Sequence, residues 1–213
     1  MINYSPVTGD PIGHPIKPQP KHCFLITQLG KNKPDLVNEI QKSINKCCQS
    51  IDYKTIDAST LTTGKDFLIK IWELIISVPI CVIIIHKDTP VKTQANLYYE
   101  LGIAQALGKE TIVIKTPEAT MPSDLIRTEY IEFNDLFNEK FNDFLKCTIR
   151  RSEYFAEMAE NTENNPLLAI DYLKRAFLIT GDNKYKNKVN DILKLEKFEG
   201  RAKSSIELLA TKF

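Results

Sequence analysis

The stretch QANLYYELGIAQALGKETIVI, Gln94 to Ile114, sets one carboxylate, Glu100, into an otherwise apolar segment. A helix is expected over Thr93 to Leu107, so Glu100 falls at its start, after the polar loop KDTPVKTQA (Lys87–Ala95). Unpaired N–H groups at a helix start stabilise a carboxylate by ~0.3–1 kcal/mol with no function implied. They also keep it ionised, which suits a nucleophile. Gly102 is the second signal, because a glycine inside a helix costs about 1 kcal/mol against alanine. Its presence implies close approach of a ligand or another backbone.

The elements that must position Glu100 alternate along the chain. His22–Leu29 (HCFLITQL) reads as a buried strand and Pro34–Ser50 as a helix, with apolar residues at Leu36, Val37, Ile40, Ile44 and Cys47. Tyr53–Asp57 is a second strand, Gly64–Ser77 a second helix, Pro79–His86 a third strand and Glu110–Lys115 a fourth. Tyr130–Phe133 reads as a short fifth strand before a helix from Asn134 to about Arg150. Unbroken Val/Ile runs between helices predict a parallel sheet covered on both faces, a flavodoxin-like α/β fold of five strands in the order 2-1-3-4-5. In such sheets ligands gather at the carboxyl ends, near the switch between strands 1 and 3. That edge carries Thr27 and Gln28 after strand 1, Asp57 and Ser59 after strand 2, and His86 to Asp88 after strand 3. The helix start with Asn96 and Glu100 is expected beside them.

Bulk properties narrow the classes. The chain has 213 residues, 43% hydrophobic and 26% charged, with a formal net charge of +1. Nothing in that balance points to nucleic acid or a membrane surface. The longest apolar run, Val78–Ile85, has strand length, far short of the ~20 residues that span a bilayer. Five cysteines without C-x-x-C spacing favour neither a disulfide framework nor a zinc site, which points to the cytoplasm. Neither a Gly-x-Gly-x-x-Gly nor a Walker-type loop is present. Of the three histidines, His14, His22 and His86, only His86 falls near the expected crevice, and Trp72 reads as core.

The segment NLYYELGIAQALGKETIVI, with the shorter opening strand CFLITQLG (Cys23–Gly30), resembles a bacterial family similar to nucleoside 2-deoxyribosyltransferases and, more distantly, to TIR domains, modules that occur in antiphage defence. The resemblance covers roughly Lys21 to Phe133. It implies chemistry at an N-glycosidic bond: a helix glutamate, matching Glu100, attacks the anomeric carbon or stabilises an oxocarbenium-like centre. NAD is the candidate substrate, cleaved with loss of nicotinamide, and no cofactor is required. Deoxyribosyl transfer or hydrolysis on a nucleoside or nucleotide is the second enzymatic reading. A third is a non-catalytic module that binds a nucleotide-derived signal. Asn96 is placed to meet a ribose hydroxyl, Asp88 and Asp66 are candidate ligand contacts, and either Tyr98 or Tyr99 could face the crevice. The family's aspartates before and within strand 3 are missing from Ser77–Ile85, and Thr27-Gln28-Leu29 replaces its Met-Pro-Phe after strand 1.

Outside the α/β domain, expected over residues 21–150, residues 1–20 carry five of the eleven prolines and read as an extended arm. Residues 151–213 read as a helical appendage with a turn at Gly181-Asp182-Asn183. Its apolar stripe must be buried, either on the domain or in a homo-oligomer joined through these helices.

Overall fold

The fold is described from a computed structural model over residues 5, 8–10, 12, 14–30, 33–61, 67–125, 129–162, 164–194, 206, 207 and 210. The chain divides into two compact units, Lys21–Lys146 and a second composed of Met1–Pro20 with Cys147–Phe213.

The first unit is a five-stranded parallel sheet, β1 (His22–Ile26), β2 (Lys54–Asp57), β3 (Ile80–Ile85), β4 (Glu110–Lys115) and β5 (Tyr130–Glu132), in the order β2-β1-β3-β4-β5. This is the flavodoxin-like architecture that the alternation predicts. All six residues of β3 are buried, with β1 on one side and β4 on the other. A strand with apolar side chains on both faces is stable only where helices cover both. Cys81 lies opposite Phe24 of β1 and Thr111 of β4, which defines the register at the amino end of the central strand.

Side-chain alternation divides the core into two layers. Phe24, Ile26, Cys81, Ile83, Ile85 and Val113 point to the face covered by α2 (Phe67–Ser77) and α3 (Val91–Ala106). The opposite face lies under α1 (Asp35–Gln49), whose Cys48 thiol pairs with that of Cys23. The amino-terminal part of α4 (Phe137–Asn161) lies beside α1, where the Cys47 Sγ donates to Asn138 Oδ1 at 3.5 Å. The five cysteines are free thiols, four of them buried. Burial raises the thiols of Cys23 and Cys47, and pushes Cys81 up to about 12, so they behave as small apolar side chains.

Two boundaries differ from expectation. No break occurs near Arg150, because α4 continues for 25 residues to Asn161 with no proline or glycine to stop it, and the division between units falls inside this helix. Helix α3 begins at Val91 directly after Pro90, whose ring fixes φ at −55°, with ψ 141°, a geometry suited to helix entry. The segment QANLYYE therefore lies within the helix rather than at its mouth.

In the second unit α5 (Pro166–Thr180) and α6 (Lys184–Lys194) pack as a hairpin. Asn165 caps α5 by accepting from the Leu168 N–H, and Gly181 ends it in the left-handed conformation at φ 70°. The core of this unit holds Phe155, Ile170, Leu173, Phe177, Tyr185 and Val189. Ile12 and Ile16 of the proline-rich arm are buried, so this part of the arm is packed rather than solvated. Among the described residues no helix is long and apolar enough to cross a membrane.

Candidate functional site around Glu100

Glu100 is the tenth of the sixteen residues of α3. At a rise of about 1.5 Å per residue it lies about 15 Å along the helix from Pro90. The helix-start reading is therefore corrected: helix-dipole effects fade within the first turn and do not reach this carboxyl. Its electrostatic environment is the reverse of the one expected. Burial pushes its carboxyl up to about 7 from an ordinary 4.5, so the neutral form is favoured more than in water. After burial itself, the Glu100 carboxylate also raises the thiol of Cys81, the second residue of β3.

Helical spacing explains the burial. Leu97, Ile103 and Ala104, at i−3, i+3 and i+4, surround Glu100 on the same surface of α3, and all three are buried. The carboxyl thus sits in the flank of an apolar face. No hydrogen bond or ion pair joins it to a described residue. A carboxyl that is half-buried and has no partner among the described residues destabilises the fold when ionised.

The carboxyl edge of the sheet has its own polar groups. His86 is buried at the end of β3. Its Nδ1 accepts from the Asp88 N–H at 3.1 Å, with the Asp88 carboxylate 3.7 Å away. A neutral imidazole so held carries its proton on Nε2, leaving that nitrogen as a donor. Thr89 and Thr116 are buried alongside, their hydroxyls accepting from the backbone N–H groups of His86 and Lys87 at 3.3 Å each. Thr27, at the end of the neighbouring strand β1, is buried with its Oγ1 unpartnered. Gln28 follows it, half-buried. Thr27 and His86 flank the switch point between β1 and β3, where a ligand hydroxyl or carbonyl would find polar partners.

The remaining candidates differ in their availability. Asp57 accepts from both the N–H and the hydroxyl of Ser59, capping the short turn Ala58–Thr60, so its carboxylate already has a structural task. Asp66 lies outside the described residues. Asn96 is exposed one turn before Glu100, on the same flank of α3. Tyr98 packs against the core and donates its hydroxyl to the Thr120 carbonyl at 3.3 Å, while Tyr99 is turned outward. At Gly102 no other backbone approaches: beyond its own stretch of helix, a side-chain carbon built there meets nothing within 4 Å. Close approach within the fold does not explain this glycine.

Lys109 is a structural residue that no sequence motif singles out. Its ammonium donates to the carbonyls of Ile76 and Val78 at 2.7 and 2.9 Å, tying the end of α3 to the end of α2. Only the adjacency of the two helices shows this role, since the contact spans more than 30 residues of chain. Among the described residues there is no group of three or more His, Cys, Asp or Glu arranged to hold a metal ion. Comparison of the chain with protein-family models and with curated proteins gives no match.

Proposed function

We propose that the α/β unit cleaves the N-glycosidic bond of a nucleotide, with NAD the favoured substrate and Glu100 the reacting carboxyl. The supporting observation is the environment of Glu100: an inward-turned carboxyl without a partner, held near neutrality by burial. Such a group costs stability and is characteristic of functional sites. The resemblance of Asn96–Lys109 to the glycosidic-bond enzymes supplies the reaction class.

In NAD the leaving nicotinamide takes the electron pair of the C1′–N bond and departs neutral, so no proton has to be supplied to it. The ionised form of Glu100 then stabilises or captures the oxocarbenium-like ribosyl centre. Water adds its oxygen to C1′ and releases a proton, giving the hydrolysed ribosyl product. Transfer to a second base in place of water is the deoxyribosyltransferase variant of the same chemistry. The ionised form is the reactive one, so NAD cleavage should rise as pH passes through about 7.

The test is chromatography of NAD, AMP and CMP incubated with the purified protein, alongside Glu100→Gln. Base release by the wild type, reduced at least 100-fold in the variant, supports the reading. Equal turnover by both proteins refutes it. The position of Glu100, about 15 Å down α3, favours a second reading. In that reading Thr27 and His86 hold a nucleotide signal at the carboxyl edge without turnover, and assembly through the C-terminal helices transmits it. Nucleotide binding that Thr27→Val weakens, without base release, would select it.

A further inference from the structure

We propose that Trp72 of α2 is a positioning residue facing Glu100 across the seam between α2 and α3, where its indole N–H receives an acceptor on the edge of the substrate's base. This inference rests on the reaction proposed for Glu100. It adds where the base sits and which side chain orients it.

Three observations place the two side chains together. First, α2 and α3 cover the same face of the sheet and pack against each other. Right-handed crossovers through β2-α2-β3 and β3-α3-β4 set them side by side, both antiparallel to the strands. Second, Ile71 and Ile75 turn to the sheet, so at about 100° of rotation per residue Trp72 falls on the flank of α2 toward α3. Leu101 and Ala104 of α3 turn to the sheet and Tyr98 toward Thr120 beyond β4, which leaves Glu100 on the flank toward α2. Third, Lys109 binds the carbonyls of Ile76 and Val78, so the carboxyl-terminal ends of the two helices are held level. Trp72 lies five residues before Ser77 and Glu100 six before Ala106, which sets them at about the same height.

Both groups lack partners where partners are expected. Trp72 Nε1 is a buried donor without an acceptor, although the ring packs against the core. A buried indole N–H in a native structure nearly always finds an acceptor, and the carboxyl opposite is likewise unbonded. One planar, heteroatom-bearing base between them satisfies both: its carbonyl or ring nitrogen accepts from Nε1, and its sugar carbon meets the carboxylate. The other ionisable groups of this layer do not compete. Cys81 is a buried thiol beneath Glu100, and the Lys109 ammonium is engaged by carbonyls. Lys70, two residues before Trp72, falls on the opposite side of α2, and both it and Glu73 have interactions of their own.

Trp72 is the chain's single tryptophan, so its fluorescence reports this seam alone. Without ligand, wild-type emission should shift through a transition near pH 7 that disappears in Glu100→Gln; an identical pH response in both proteins overturns the facing pair. With NAD as probe, emission should change saturably, and Trp72→Phe, which keeps a ring and removes the N–H, should raise KM for nicotinamide release about tenfold with kcat within twofold. An unchanged KM overturns the positioning role. If the wild type releases no base from NAD, AMP or CMP, the reaction itself fails. The fluorescence titration then decides for Trp72: no response to any of the three nucleotides overturns the proposal, and a saturable response that Glu100→Gln weakens upholds the seam as a base-binding site.

Discussion

Replacing Glu100 by glutamine should stabilise the protein at alkaline pH and do much less in acid. The folded state raises the carboxyl from an ordinary 4.5 to about 7, a difference of 2.5. At about 1.36 kcal/mol for each tenfold change in acidity, ionised Glu100 costs the folded state about 3 kcal/mol. The sign follows from proton binding. Between the two values the folded protein holds a proton that the unfolded chain has lost, so stability falls as pH rises toward 7 and levels off above it. Glutamine keeps the shape and carries no charge, which removes the penalty. Urea unfolding of wild type and Glu100→Gln at pH 5 and pH 8.5 should show the variant's advantage growing by about 2–3 kcal/mol between them. Unfolding is best followed by circular dichroism, because Trp72 emission carries its own pH dependence in this scheme. An advantage that does not change with pH, or a variant less stable at pH 8.5, would refute the claim that Glu100 is buried without a partner.

Three other outcomes follow from the packing. Lys109→Met keeps the aliphatic stem but leaves the Ile76 and Val78 carbonyls without their donor, and should lower stability by about 1–3 kcal/mol in urea titrations. Gly102→Ala meets only open space and should raise stability by about 0.5–1 kcal/mol; a loss instead would mean that another molecule approaches this glycine. Gly181→Ala puts a side chain on a residue at φ 70° at the end of α5 and should cost about 1 kcal/mol, seen as a lower thermal midpoint.

The sheet and its strand order were legible without coordinates. The run ICVIII can be buried on both faces only as the central strand of a covered parallel sheet, and the alternation of elements leaves few topologies for it. The burial of Glu100 was also open to sequence reasoning, since Leu97, Ile103 and Ala104 stand at helical spacing around it. Its distance from the carboxyl edge was not, because that depends on where the chain turns from loop to helix. KDTPVKTQA reads as polar loop, yet after Pro90 it has no glycine or proline to stop a helix, and packing on the sheet extends α3 back to Val91. The partnership of α2 with α3 was likewise beyond the sequence. Lys109 reaches the Ile76 and Val78 carbonyls only when two crossovers lay separate helices side by side on one face, a long-range consequence that no local pattern encodes.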